Sequence, residues 1–144
     1  MFQKILVATE GSEPSLNAVK KAYDFLEGGF VQEVTFLYVV NKPGEERIDG
    51  LAVFRREIFS KDTEQIAEIA AKIKDIFGSK EFKMQSEFGN VPDTICKVAE
   101  EGNYELIMLG HRGLNTIERY LLGSVSSKVA NNAPCSVMIV REFH

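Results

Sequence analysis

Tryptophan is absent from this sequence, cysteine occurs twice, and no apolar run approaches the ~20 residues that span a bilayer. Each shortage removes a class of protein. Cys96 and Cys135 lie far apart and belong to no C-x-x-C or Cys/His cluster, so neither a disulfide framework nor a zinc site is expected. They read instead as small buried hydrophobes in a reducing compartment. The apolar stretch within Met1-Phe2-Gln3-Lys4-Ile5-Leu6-Val7-Ala8 is too short for a secretory leader, which points to a cytoplasmic chain with no membrane partner. Basic residues are also outnumbered: 17 Lys and Arg face 21 Asp and Glu, for a net charge of −4. Nucleic acid and acidic membranes demand a basic surface and are not expected as partners. Catalytic equipment is missing as well. There is no nucleophile–base pair at a recognisable spacing, no Walker-type lysine and no cluster of metal ligands, so any nucleotide hydrolysis should be slow.

What is present is an alternation of strands and helices over 144 residues, with 44% apolar and 26% charged residues typical of a folded domain. Ile5-Leu6-Val7-Ala8 reads as a buried strand that stops at Thr9-Glu10-Gly11-Ser12. Ser12 can cap the helix that follows, and Pro14 suits its first turn. Leu16, Val19, Ala22, Tyr23 and Leu26 recur at helical spacing until Gly28-Gly29. Residues Val34 to Val40 form a β-branched and aromatic strand broken by Asn41-Lys42-Pro43-Gly44. The stretch from Glu45 to Val53 has no clear period. A long helix then carries Ile66, Ile69, Ala70, Ile73, Ile76 and Phe77 in one stripe, up to Gly78-Ser79.

Phe82, Met84 and Ser86 alternate with charged or polar residues and predict a third strand with one face less buried. After the turn Gly89-Asn90-Val91-Pro92, a short helix carries Val91, Ile95, Val98 and Ala99. Leu106 to Leu109 is another buried strand, a helix spans about Ser124 to Asn132, and Ser136 to Val140 is the last strand. The pattern predicts one α/β domain over residues 1–144, with a doubly wound parallel sheet and helices on both faces. Both 3-2-1-4-5 and 2-1-3-4-5 are common orders for such a sheet.

Ligands of doubly wound sheets bind beyond the carboxyl ends of the strands, where the winding reverses. For the order 3-2-1-4-5 that point lies between the first and fourth strands. The loops leaving there are Thr9-Glu10-Gly11-Ser12 and Gly110-His111-Arg112-Gly113, the two polar, glycine-bearing strand exits that stand out. Gly110 and Gly113 let the backbone curl with its amides inward, and Gly123-Ser124 opens a helix whose N-terminus attracts phosphate oxygens. Ser124 and Ser126 add hydroxyl donors. His111 is either a ligand contact or a residue facing solvent.

Gly110-x-x-Gly113 followed, nine residues later, by Gly123-Ser124 resembles the nucleotide-binding signature of the universal stress protein family. The likeness extends to the opening Ile5 to Ser15, to Leu37-Tyr38-Val39-Val40, to Gly89-Asn90-Val91-Pro92 and to Pro134-Cys135-Ser136-Val137. It implies a Rossmann-like five-stranded sheet in the order 3-2-1-4-5 and a regulatory protein that binds ATP, or AMP or ADP, with or without Mg2+. It implies that the base lies near Val39, the ribose near Ala8, Thr9 and Glu10, and the phosphates along Gly110, His111, Arg112, Gly113, Asn115, Gly123, Ser124, Val125 and Ser126. The family usually has Asp where this chain has Glu10, one methylene longer. A homodimer through the edge strand 136–141 is the expected assembly, because so apolar an edge does not stay unpaired comfortably.

Two other functions compete and fit less well. A phosphoacceptor receiver needs an Asp after the third strand, where this chain has Glu87-Phe88-Gly89. A flavodoxin would use the Thr/Ser-rich first loop for FMN, but there is no tryptophan to stack on a flavin. A dimeric interaction module that has lost nucleotide binding is the remaining alternative.

Overall fold

Each apolar run becomes a strand, and the glycine, proline and capping signals between runs become the helix boundaries. The computed structural model describes residues 1–41, 48–111 and 123–141, with side chains described over 1–40, 62–111 and 123–141. The elements are β1 (Phe2–Ala8), α1 (Glu13–Glu27), β2 (Val31–Asn41), α2 (Ile48–Phe77), β3 (Lys83–Gly89), α3 (Val91–Glu101), β4 (Leu106–Gly110), α4 (Ser124–Asn132) and β5 (Ser136–Val140). All strand pairs are parallel, and the sheet order is β3-β2-β1-β4-β5. Of the two orders compatible with the alternation, the fold takes the one with its reversal between β1 and β4.

Local chemistry explains the helix starts. Ser12 caps α1 by accepting the Ser15 N–H at 3.4 Å, and Asn90 caps α3 by accepting the Asp93 N–H at 3.2 Å. The stretch that lacked a readable period is partly helical: α2 begins at Ile48, six residues before Phe54. Strand β1 likewise starts at Phe2, ahead of the Ile5 run, because its ladder with β2 extends to Phe2 opposite Val31.

Two cores lie on the two faces of the sheet. On one, Ala18, Val19 and Ala22 of α1 and Ile69, Ile73 and Phe77 of α2 pack against Ile5, Val7 and Phe36. On the other, Ile95, Val98 and Ala99 of α3 and Val129 of α4 cover Leu6, Leu37, Ile107 and Leu109. Cys96 and Cys135 pack against this second core but are half-buried, not fully buried as their residue type suggests. Partial burial pushes both thiols above their ordinary range, which keeps them neutral. Strand β3 lies at a sheet edge, so none of its residues is fully buried on either face.

Candidate functional site

The sheet order places the exits of β1 and β4 side by side, and their helices then diverge. Helix α1 goes to one face and α4 to the other. The chain therefore parts above the join and leaves a cleft. A cavity of about 210 Å3 occupies it, lined by Ala8, Thr9, Glu10, Pro14, Ser15, Leu37, Val39, Val91, Ile95, Leu109, Gly110, Gly123, Ser124, Val125 and Ser126.

One side of the cleft is a small buried hydroxyl network. The Ser15 hydroxyl accepts from the Gly11 N–H at 3.1 Å and from the Thr9 hydroxyl at 3.2 Å, and donates to the Ser12 carbonyl at 2.9 Å. This ties the loop after β1 to the first turn of α1. Gly11 completes the bend at φ +90°, a conformation that L side chains rarely adopt. Glu10 is exposed at the cavity, and its carboxylate accepts the Ser12 hydroxyl at 2.9 Å.

The floor is apolar, formed by Leu37 and Val39 from β2, Leu109 from β4, and Val91 and Ile95 from α3. The far side is the N-terminus of α4. Its cap position is Gly123, and no side chain among the described residues caps the turn. The first amides of a helix have no intrahelical acceptor, so this end carries partial positive charge toward the cavity.

Glycines 110 and 123 occupy their positions for opposite reasons. A Cβ on Gly110 would strike the Pro14 carbonyl group and come within 2.7 Å of the Ser15 nitrogen. Gly110 is thus required by the close approach of β4 to the start of α1. Gly123 has ordinary extended dihedrals, φ −63° and ψ 164°, and a Cβ there would meet no atom of the described residues within 4 Å. Among the described residues, neither backbone geometry nor packing calls for glycine at 123.

Of the thirteen residues the sequence singled out, nine line this one cavity: Ala8, Thr9, Glu10, Val39, Gly110, Gly123, Ser124, Val125 and Ser126. His111 is buried, so it does not face solvent, but it is not among the lining residues. Its backbone N–H donates to the Val140 carbonyl at 2.9 Å, and its Nε2 is buried without a hydrogen-bond partner. Arg112, Gly113 and Asn115 lie outside the described residues. Pro14, Ser15, Leu37, Val91, Ile95 and Leu109 were missed as lining residues. They look like core, cap and helix-start positions, and only their nearness to the carboxyl edge of the sheet marks them.

Comparison with known proteins bears on this cleft. The family model for the universal stress protein family matches residues 1–141. The chain belongs to the universal stress protein family. A member from Staphylococcus aureus (strain USA300) is 30% identical over 144 residues, covering 97% of this chain and 84% of that one. The universal stress protein UspA from Lactobacillus plantarum superposes with a TM-score of 0.82 at 23% identity, over 96% of this chain and 97% of that one. A universal stress protein crystallised in complex with cAMP superposes with a TM-score of 0.70 at 26% identity, over 96% of this chain and 97% of that one. No helix among the described residues is long and apolar enough to cross a membrane.

Proposed function

We propose that this chain is a cytoplasmic regulatory protein of the family that binds an adenine nucleotide, ATP in the first instance, in the cleft between β1 and β4. The observation that carries the reading is the start of α4, where the helix N-terminus has no side-chain cap among the described residues and is preceded by a glycine that none of them requires. Uncapped amides beside open space suit phosphate oxygens. The Ser124 and Ser126 hydroxyls, both at the cavity, would add donors, and the sequence continues the track through Gly110, His111, Arg112, Gly113 and Asn115.

The base would lie on the apolar floor beside Val39, with Val91 and Ile95 covering it. The ribose would lie at Ala8, Thr9 and Glu10. There a carboxylate can accept hydroxyl protons, as Glu10 already does from Ser12 at 2.9 Å. The described residues assemble no group of three or more His, Cys, Asp or Glu that could hold a metal. Mg2+, when it accompanies the phosphates, would be held chiefly by them. On this reading the chain's own groups bind and orient a nucleotide, and binding acts through the conformation or partner preference it imposes. A relative complexed with cAMP supports the same class of ligand.

Calorimetric titration with ATP, ADP, AMP and cAMP, together with mass spectrometry of nucleotide released from the purified protein, tests this. One saturable site for an adenine nucleotide is the expected result. Absence of heat with all four, and of any released nucleotide, would reject it.

A second copy of the chain is the proposed protein partner, paired antiparallel along 136–141. Strand β5 is a sheet edge whose Val137, Met138 and Ile139 are only half-buried. Light scattering at micromolar concentration should return a dimer mass, and a monomer would exclude this pairing.

A further inference from the structure

One serine ties the loop after β1 to the carboxylate at the mouth of the cleft. The Ser12 carbonyl accepts the Ser15 hydroxyl at 2.9 Å and the Leu16 N–H at 2.9 Å, so its backbone belongs to the first turn of α1. Its hydroxyl has two further ties: it accepts the Ser15 N–H at 3.4 Å and donates to Glu10 Oε1 at 2.9 Å. A hydroxyl has one proton to give, and here that proton goes to the Glu10 carboxylate. Among the described residues that line the cleft, Glu10 is the only charged one. It is exposed, and a long side chain in solvent has much rotamer freedom to lose. The bond to Ser12 joins it to a loop that Thr9, Gly11 and Ser15 already hold together.

We propose that Ser12 is a positioning residue that holds the Glu10 carboxylate at the cleft, so that the site selects ribonucleotides over their deoxy counterparts. The inference rests on the nucleotide reading above and names the part of the ligand that Glu10 reads. The two walls of the cleft differ in charge. The start of α4 carries partial positive charge, whereas Glu10 repels phosphate. Phosphates are therefore directed to α4, and the groups left for Glu10 are the ribose hydroxyls. A carboxylate accepts at two oxygens, so the bond to Ser12 does not exhaust it. Donation to an ionised acceptor is stronger than a neutral hydrogen bond. Fixing the carboxylate beforehand removes the ordering cost that would otherwise offset this gain.

Calorimetric titration of the full chain with ATP, 2′-deoxy-ATP and 3′-deoxy-ATP reads the proposal as a ratio of affinities. The wild type should prefer ATP to at least one deoxy analogue by about tenfold or more, the worth of one hydrogen bond to a charged group. Ser12→Asp keeps a good helix cap but has no proton to give and repels Glu10, so the preference should fall to about twofold or less. Ser12→Ala, which adds no charge, should do the same. Ser12→Thr, which keeps the hydroxyl, should hold the preference. A serine that only capped α1 would weaken all three nucleotides alike and leave the ratio unmoved. The wild-type ratio retained in Ser12→Asp and Ser12→Ala overturns the positioning role, as does its loss in a Ser12→Thr protein that melts like the wild type. A wild type that binds ATP and both deoxy analogues equally overturns the inference while the nucleotide reading stands. If the wild type gives no heat with any adenine nucleotide, that reading fails and the inference falls with it.

Discussion

Helices α1, α3 and α4 all start at the carboxyl edge of this sheet, and they do not start alike. Helices α1 and α3 satisfy their own first turns: Ser12 and Asn90 accept backbone N–H groups, and Glu13 and Asp93 place negative charge beside the helix N-termini. Helix α4 does neither. Glycine occupies its cap position, and its first turn holds no acid. On the proposed reading, the difference separates helix starts made for stability from one left open to a ligand. A carboxylate in the first turn is favourable in a closed fold, but it would repel a phosphate from the same amides. Of the three, α4 alone has neither a capping side chain among the described residues nor an acid in its first turn.

The comparison can be broken most severely at Gly110. Gly110→Ala forces a Cβ into the Pro14 carbonyl group and should cost about 3 kcal/mol or more, since the neighbours are backbone and cannot rotate away. Urea unfolding should show a large drop in midpoint. A midpoint unchanged from wild type would mean that β4 and α1 have room to separate, contrary to the geometry here. Next in size is Gly123→Asp, which gives α4 the kind of start that α1 and α3 already have. Nucleotide affinity should fall by about 30-fold or more, equivalent to ~2 kcal/mol of lost charge-assisted hydrogen bonding, while stability holds or rises. Calorimetry and thermal melting together separate the two effects, and retained affinity would place the phosphates elsewhere. The smallest effect belongs to Asn90→Ala. Removing that cap should lower stability by ~1 kcal/mol in urea unfolding and leave nucleotide affinity nearly untouched. A large affinity loss from this variant would draw α3's N-terminus into anion binding and erase the contrast.

Much of this architecture is legible in the residues themselves. The Ser12 cap, the Ile69-Ile73-Phe77 stripe and the Leu106 to Leu109 strand follow from rules that act within a few residues. The candidate cleft is partly legible too, because glycines and hydroxyls beside strand ends are conspicuous. Other features are hidden for a physical reason. Val91 and Ile95 look like any apolar helix positions, and nothing local shows that they wall a cavity. The start of α2 is obscure because residues 45–53 carry charge without period. His111 allows two readings, and its burial settles against the solvent-facing one.

Local forces within the sequence (propensity, capping and hydrophobic period) set the alternation of strands and helices, where most of them stop, and which residues are candidates for phosphate chemistry. It took the folded chain to make β1 and β4 neighbours, to reserve Gly110 for the Pro14 carbonyl, and to leave Gly123 clear of every other described residue. These depend on contacts between segments far apart in the chain, such as Ile5 opposite Leu106. No local pattern distinguishes a glycine needed for packing from one that leaves room for a ligand.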